Sequence, residues 1–72
     1  MTLLQAGRNK QVTVQGLDCA GVCRQRLMDL GVFKGTKLVV VGVAPLGDPM
    51  IIEIDNCKIA IRKVDAAKIL VV

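Results

Sequence analysis

A chain of 72 residues has the length of one small domain, and its ten basic and six acidic residues give a net charge of +4. The basic residues are scattered, which is typical of a solvated surface but also compatible with attraction to an acidic partner or to anionic lipid headgroups. Phe33 is the single aromatic residue. The chain therefore lacks the aromatic platforms of single-stranded nucleic-acid binders, on which each stacked base contributes roughly 1–3 kcal/mol.

The sequence also argues against membrane insertion, secretion and catalysis. The longest apolar run, residues 38–46, contains Gly42 and Pro45 and is far shorter than the roughly 20 residues that cross a bilayer. The N-terminus lacks a basic segment followed by a long apolar one, so we expect a cytoplasmic protein. Because the chain has no histidine and no glycine-rich phosphate loop, we expect it not to be an enzyme.

The first half of the chain changes from a strand pattern to a helix pattern. Lys10 to Gln15 alternate with a period of two, which predicts a half-buried strand that Gly16 ends. Apolar residues then recur at intervals of three and four, which predicts a short amphipathic helix with Asp18 as N-cap and Gly31 as its stop. The apolar stripe of this helix comprises Ala20, Cys23, Leu27 and Leu30. We expect Leu27, Leu30 and the following Val32 to lie in the core.

The second half predicts a series of antiparallel strands. The predicted strands cover residues 36–44, 50–55, 58–63 and 69–72. The first of them is apolar on both faces, which predicts burial on both sides. Residues 45–49 form a hairpin loop whose two prolines interrupt the ladder, and a turn at Asn56-Cys57 joins the next two strands. Asp65 is predicted to cap a single helical turn before the last strand.

These elements define one fold class. Five short antiparallel strands, with one short α-helix inserted after the first, predict a mostly β protein of the small SH3-like β-barrel type. Closure of such a barrel would remove most of the exposed edges of this apolar chain. We find no repeat or linker, so we expect a single domain over residues 1–72.

Two longer segments carry a family signature. The first reads Arg-Leu-Met-Asp-Leu-Gly-Val-Phe-Lys-Gly-Thr over residues 26–36, followed by Ala-Pro-Leu-Gly-Asp-Pro over residues 44–49. The second reads Ile-Ala-Ile-Arg-Lys over residues 59–63, followed by Asp-Ala-Ala over residues 65–67. In order and spacing they resemble the FeoA family, the small cytosolic accessory proteins of bacterial ferrous-iron uptake. The resemblance implies a non-enzymatic SH3-like barrel that associates with FeoB, the membrane protein that carries a cytosolic G domain and transports Fe(II).

Part of this signature is not required by the fold. The candidate partner-binding residues are Arg26, Pro45, Leu46, Gly47, Asp48, Pro49 and Arg62. For Arg26, the alternative is a solvated helix residue paired with Asp29. For residues 45–49, the alternative is a rigid hairpin shaped by proline and glycine, although loops on a rigid scaffold often carry recognition. An exposed Leu46 would favour docking.

Three cysteines are the available soft-metal ligands, and their odd number argues against a disulfide framework. Cys19 and Cys23 lie four positions apart, so a helix that includes both would bring their thiols to one transition metal. Two thiolates are too few for a structural zinc site, and Fe(II) prefers imidazole and carboxylate ligands. The alternative for Cys23 is a small buried apolar residue. The residues alone assign no cofactor and leave Fe(II) or another transition metal open.

Three functions are compatible with these observations. The first is an accessory protein that binds the cytoplasmic part of FeoB without inserting into the membrane. The second is a metal-sensing module like the SH3-like C-terminal domain of iron-dependent repressors, for which saturable Fe(II) or Mn(II) binding would be diagnostic. The third is a basic nucleic-acid-binding barrel, whose affinity would fall steeply with salt. The family resemblance favours the first, at the inner face of the membrane.

Overall fold

The computed structural model describes residues 1–72, which form a five-stranded antiparallel sheet with two helices. The elements are a 3₁₀ turn Leu3–Gln5, strand β1 Gln11–Leu17, helix α1 Gly21–Asp29, strands β2 Lys37–Val43, β3 Met50–Ile54 and β4 Cys57–Ile61, helix α2 Lys63–Ala66 and strand β5 Ile69–Val71. The predicted five antiparallel strands, with a helix after the first, are confirmed. None of the helices has the length and apolar character needed to cross a membrane.

The strands are ordered β4-β3-β2-β1-β5. Strands β1 to β4 are connected in sequence order, and β5 returns to pair with the free side of β1. No hydrogen-bonded ladder joins β4 to β5, so the barrel is loose rather than closed. The 3₁₀ turn contacts both α2 and β5 on this open side.

The first ten residues, which we call the N-terminal strap, run from β5 to β2. At one end Thr2 pairs with Leu70 in β5. At the other end Arg8 pairs with Val40, whose carbonyl accepts a hydrogen bond from the Asn9 amide at 2.8 Å. Between these ends Leu3 is completely buried. The strap is therefore part of the core, although its sequence has no strand or helix periodicity that would have predicted this.

The core consists of aliphatic side chains, as the composition predicts. It comprises Leu3, Val12, Val14, Leu27, Val32, Leu38, Val40, Met50, Ile52, Ile61, Ala66, Ile69 and Val71. Phe33 lies outside the core and is 47% exposed. The expectation that β2 is buried on both faces is wrong, because Leu38 and Val40 are buried while Val39 and Val41 on the other face are only half-buried.

Two predicted boundaries need correction. Helix α1 begins at Gly21 with Ala20 as N-cap, so Asp18 does not cap it. The Asp18 amide instead donates to the Lys68 carbonyl at 2.7 Å and extends the pairing between β1 and β5. Gly16 does not end β1, because the strand continues through a bulge and Gly16 itself pairs with Leu70.

The end of α1 follows the glycine signal but changes which side chain is buried. Gly31 has a φ of 95°, and its amide and that of Val32 donate to the carbonyls of Met28 and Leu27 at 3.0 and 2.9 Å. This is the Schellman arrangement, which brings the residue after glycine back against the last turn of the helix. Val32 is therefore buried on Leu27, whereas Leu30 is 41% exposed and its predicted core position is wrong.

The turn between β3 and β4 lies at Asp55-Asn56, one residue before the predicted position, because Ile54 pairs directly with Cys57. Both turn residues have positive φ, 50° for Asp55 and 68° for Asn56. Two successive residues of this conformation form a type I′ turn, which matches the right-handed twist of a hairpin. Strand β4 therefore begins at Cys57, and it ends at Ile61 because Arg62 is the N-cap of α2.

Replacing Leu3 by alanine tests the role of the strap in the core. We expect the free energy of unfolding to fall by about 2–5 kcal/mol, because the change leaves a cavity under the strap. The neighbouring Leu4 is 43% exposed, so Leu4→Ala is the matched control and should cost less than about 1 kcal/mol. Urea unfolding followed by circular dichroism measures both values, and equal losses would contradict a buried strap.

Candidate partner-binding site

The loop between β2 and β3 has a defined shape. The Ala44 amide donates to the Pro49 carbonyl at 2.9 Å, and the Gly47 amide donates to the Ala44 carbonyl at 2.7 Å. Gly47 has a φ of 87°, which a residue with a side chain rarely adopts. The hydrogen-bonded loop backbone therefore presents Leu46 at its tip, where this residue is 97% exposed.

A side chain of the loop also fixes it to α2. The carboxylate of Asp48 accepts a hydrogen bond from the Lys63 amide at 3.1 Å. Lys63 is the first residue of α2, and its N-cap Arg62 provides no side-chain cap. Asp48 thus supplies a partner for an amide that lacks one within the helix. It also places a negative charge near the positive end of the helix dipole.

Arg26 and Arg62 meet at a buried carboxylate. Asp65 is only 7% exposed, and its Oδ2 lies 3.2 Å from Nη2 of Arg26 and 3.5 Å from Nε of Arg62. Asp65 is within α2, so its predicted role as the helix cap is wrong. The predicted pairing of Arg26 with Asp29 is also wrong, because the Asp29 carboxylate accepts from Gln25 instead. The guanidinium groups compensate the charge of a carboxylate that would be costly to bury alone.

The seven candidate residues are thereby connected through α2. Asp48 holds the loop to Lys63, the first residue of α2. Arg62 directly precedes this helix and Asp65 lies within it. Arg26 reaches this helix from α1 through its ion pair with Asp65. Arg26 and Arg62 remain 46% and 63% exposed despite their ion pairs. Their role in partner binding stays a prediction beside this structural role.

An open groove of about 250 Å³ lies between the strap, the ends of β2 and β3 that flank the loop, and the first residue of α2. Its apolar walls include Leu4, Val43 and Met50, and its charged residues are Arg8 and Lys63. No pattern in the sequence predicts this groove. Lys63 is part of the family signature, but the position of Arg8 follows from the path of the strap, for which no sequence pattern exists.

The cysteines do not form the predicted arrangement on one helix. Cys19 precedes α1, while Cys23 lies within it, and both are partly buried beside the core. Cys23 Sγ lies 3.9 Å from Oδ1 of Asp65, and a hydrogen bond with Cys23, together with burial, raises the pKa of the Cys19 thiol. No group of three or more histidine, cysteine, aspartate or glutamate side chains is placed to hold a metal ion.

Replacing Asp65 by asparagine should lower the free energy of unfolding by about 1–3 kcal/mol, because it removes charge-assisted hydrogen bonds while preserving side-chain volume. The exposed arginines can be rehydrated, which keeps the loss toward the lower value. Asp29→Asn removes an exposed carboxylate from α1 and should cost less than about 0.5 kcal/mol. Chemical denaturation of both variants measures the difference, and equal losses would contradict a structural role for the buried carboxylate.

Alkylation by iodoacetamide should modify Cys19 more slowly than Cys57. Alkylation requires the thiolate, and the raised pKa of Cys19 lowers its thiolate fraction at a given pH, whereas Cys57 is exposed on β4. The pKa of Cys19 is higher in the folded protein than the usual thiol value of 9.0. Its contribution to the free energy of unfolding is therefore complete below pH 9.0 and is lost as pH rises through the folded pKa. Peptide mass spectrometry gives the labelling rates, and equal rates would contradict the expectation.

Comparison with known proteins agrees with the signature read from the sequence. The model of the FeoA domain family matches residues 1–72. A Porphyromonas gingivalis protein, named as a fusion of Fe(2+) transport protein A and the Fe(2+) transporter FeoB, is 34% identical over 69 residues. The match covers 96% of this chain and 8% of that protein, so the chain spans only a small part of this relative.

Solved structures share the fold. The solution structure of the FeoA protein from Chlorobium tepidum has a TM-score of 0.88 and 34% identity, covering 99% of this chain and 68% of that one. The zinc complex of FeoA from Stenotrophomonas maltophilia, described as a prokaryotic SH3 domain protein, has a TM-score of 0.83 and 24% identity, covering 99% and 88%. The manganese-activated repressor ScaR has a TM-score of 0.86 and 18% identity, covering 99% and 34%.

The last two likenesses concern the fold alone, and they confirm the predicted SH3-like architecture. The family assignment rests instead on the match of the family model over the whole chain and on the relatives at 34% identity. Both agree with the resemblance carried by residues 26–36, 44–49 and 59–63. The chain belongs to the FeoA domain family.

Proposed function

We propose that this chain is a non-enzymatic accessory domain of ferrous-iron transport that binds the cytosolic part of FeoB at the inner face of the membrane. The main support is the Porphyromonas gingivalis relative, whose name joins the FeoA part and the transporter in one fusion protein. A covalent linkage keeps two domains at high effective concentration. A chain that acts without such a linkage needs a surface that recognises the transporter.

The loop at residues 44–49 is the surface best suited to this role. Single exposed apolar side chains are common on proteins and carry little information alone. Leu46 differs because it stands at the tip of a loop that two backbone hydrogen bonds and Asp48 hold in place. A pre-ordered loop loses little conformational entropy on binding. Burying this leucine in a partner would contribute about 1.5–3 kcal/mol.

Arg26 and Arg62 extend the proposed surface beside the loop. Both guanidinium groups are held in place by Asp65 and remain accessible to solvent. Arginine is enriched in protein interfaces because its planar group donates several hydrogen bonds. In this proposal, Leu46 supplies apolar contact area and the arginines supply orientation.

Binding of Leu46→Ser to the cytosolic region of the cognate FeoB tests the proposal. We expect at least about a tenfold loss of affinity, since 1.4 kcal/mol corresponds to a factor of ten. Phe33→Ser is the control, because Phe33 is 47% exposed and lies with Lys37 and Asp55 at the opposite end of β2 and β3 from the loop. Isothermal titration calorimetry of the purified proteins gives the affinities.

Two results would contradict the proposal. Absence of binding by the unmodified chain, to both the cytosolic region and full-length FeoB, would overturn the accessory function. Equal affinities of the Leu46 and Phe33 variants would remove the loop from the interface. Anaerobic titration of the reduced protein with Fe(II) tests the metal-sensing alternative, which saturable binding at one ion per chain would favour.

A further inference from the structure

The groove beside the loop has an unusual combination of apolar walls and positive charge. Leu4 and Val43 line it and are 43% and 54% exposed. Its only charged lining residues are Arg8 from the strap and Lys63 from α2. At about 250 Å³, the groove is smaller than the roughly 300–1,000 Å³ of typical small-molecule pockets, and it is open to solvent. These properties suit side chains of a protein partner better than a cofactor.

Neither cation has a carboxylate partner. Arg8 donates from Nε to the Val41 carbonyl at 3.2 Å. A Cβ at Gly42 would lie 3.4 Å from Nη2 of Arg8, so this guanidinium lies over the β2 backbone. The two ion pairs of the protein both involve Asp65 instead. The nearby Asp48 is occupied by the Lys63 backbone amide rather than by its ammonium group.

We propose that the groove receives an extended acidic segment of the partner protein, with a carboxylate beside Arg8 and Lys63 and an apolar side chain on Leu4 and Val43. This inference rests on the proposed function and specifies the chemistry of the segment recognised. Two cations without an ion-pair partner in one groove attract an anion and disfavour basic segments. The apolar walls select an anion that is joined to an aliphatic group, as in an extended peptide with an acidic residue and an apolar residue two positions apart, which lie on the same face.

The cations and the apolar walls of the groove contribute differently to the affinity and to the association rate. Solvent-exposed ion pairs contribute about 0–1 kcal/mol each, so the cations alone give little affinity. Charges at the rim of an interface act mainly on the association rate and on its salt dependence. A membrane surface is a poorer occupant, because the basic sites that bind anionic lipid are clusters of about four to eight Lys or Arg residues. The groove brings two such residues together.

Charge reversal at Lys63 tests the inference in the binding assay with the cytosolic region of the cognate FeoB. Lys63→Glu should slow association about tenfold at low salt and weaken its dependence on ionic strength. Lys37→Glu makes the same charge change at an exposed residue of β2 outside the groove, and it should change the rate less than about twofold. Lys63→Gln removes the charge without adding a second carboxylate beside Asp48, and it should give an intermediate rate.

Association rates measured by stopped-flow or by biolayer interferometry at several salt concentrations distinguish the outcomes. Binding by the unmodified chain, with equal rates for the Lys63 and Lys37 variants, would overturn the acidic-segment inference and leave the proposed function intact. Absence of FeoB binding by the unmodified chain would overturn both. Lys63-dependent binding to vesicles containing phosphatidylserine, without any Lys63 effect on FeoB binding, would assign the groove to lipid headgroups and overturn the inference.

Discussion

The open side of the sheet, between β4 and β5, is the constraint on which the rest of the structure depends. A barrel closed by a ladder would bury its interior with strands alone. Here the strap and α2 cover the open side, where they contribute the buried side chains of Leu3 and Ala66. The groove with Arg8 and Lys63 lies where these two segments meet β2 and β3. Core packing and the candidate recognition surface therefore have a common origin.

Asp65 links this side of the molecule to α1. Its carboxylate is compensated by Arg26 from α1 and by Arg62 directly before α2. A buried carboxylate without partners would be costly, so the pairing favours one arrangement of the two helices. The same contacts determine where the guanidinium groups lie on the surface. A structural ion pair and a recognition surface are thus compatible uses of the same arginines.

The features that could be predicted from the sequence depend on local chemistry. Gly31 ends α1 because a left-handed residue is needed there, and prolines delimit the loop at residues 45–49. The errors concern contacts between distant segments. Aspartate is a residue type typical of helix caps, but the ion-pair partner of Asp65 is Arg26, which is 39 positions away. The strap has no periodicity, so neither the burial of Leu3 nor the position of Arg8 in the groove could be predicted.

The size of the protein limits the kind of interface it can form. A standard interface buries roughly 800 Å² on each partner, which would be roughly a fifth of the 4447 Å² surface of this chain. The loop and the adjoining groove are only part of such an area, so a modest affinity is expected from them alone. Fusion, as in the Porphyromonas gingivalis relative, would make a modest affinity sufficient by raising the effective concentration. For a separate chain, electrostatic attraction by Arg8 and Lys63 would serve the same purpose by accelerating association.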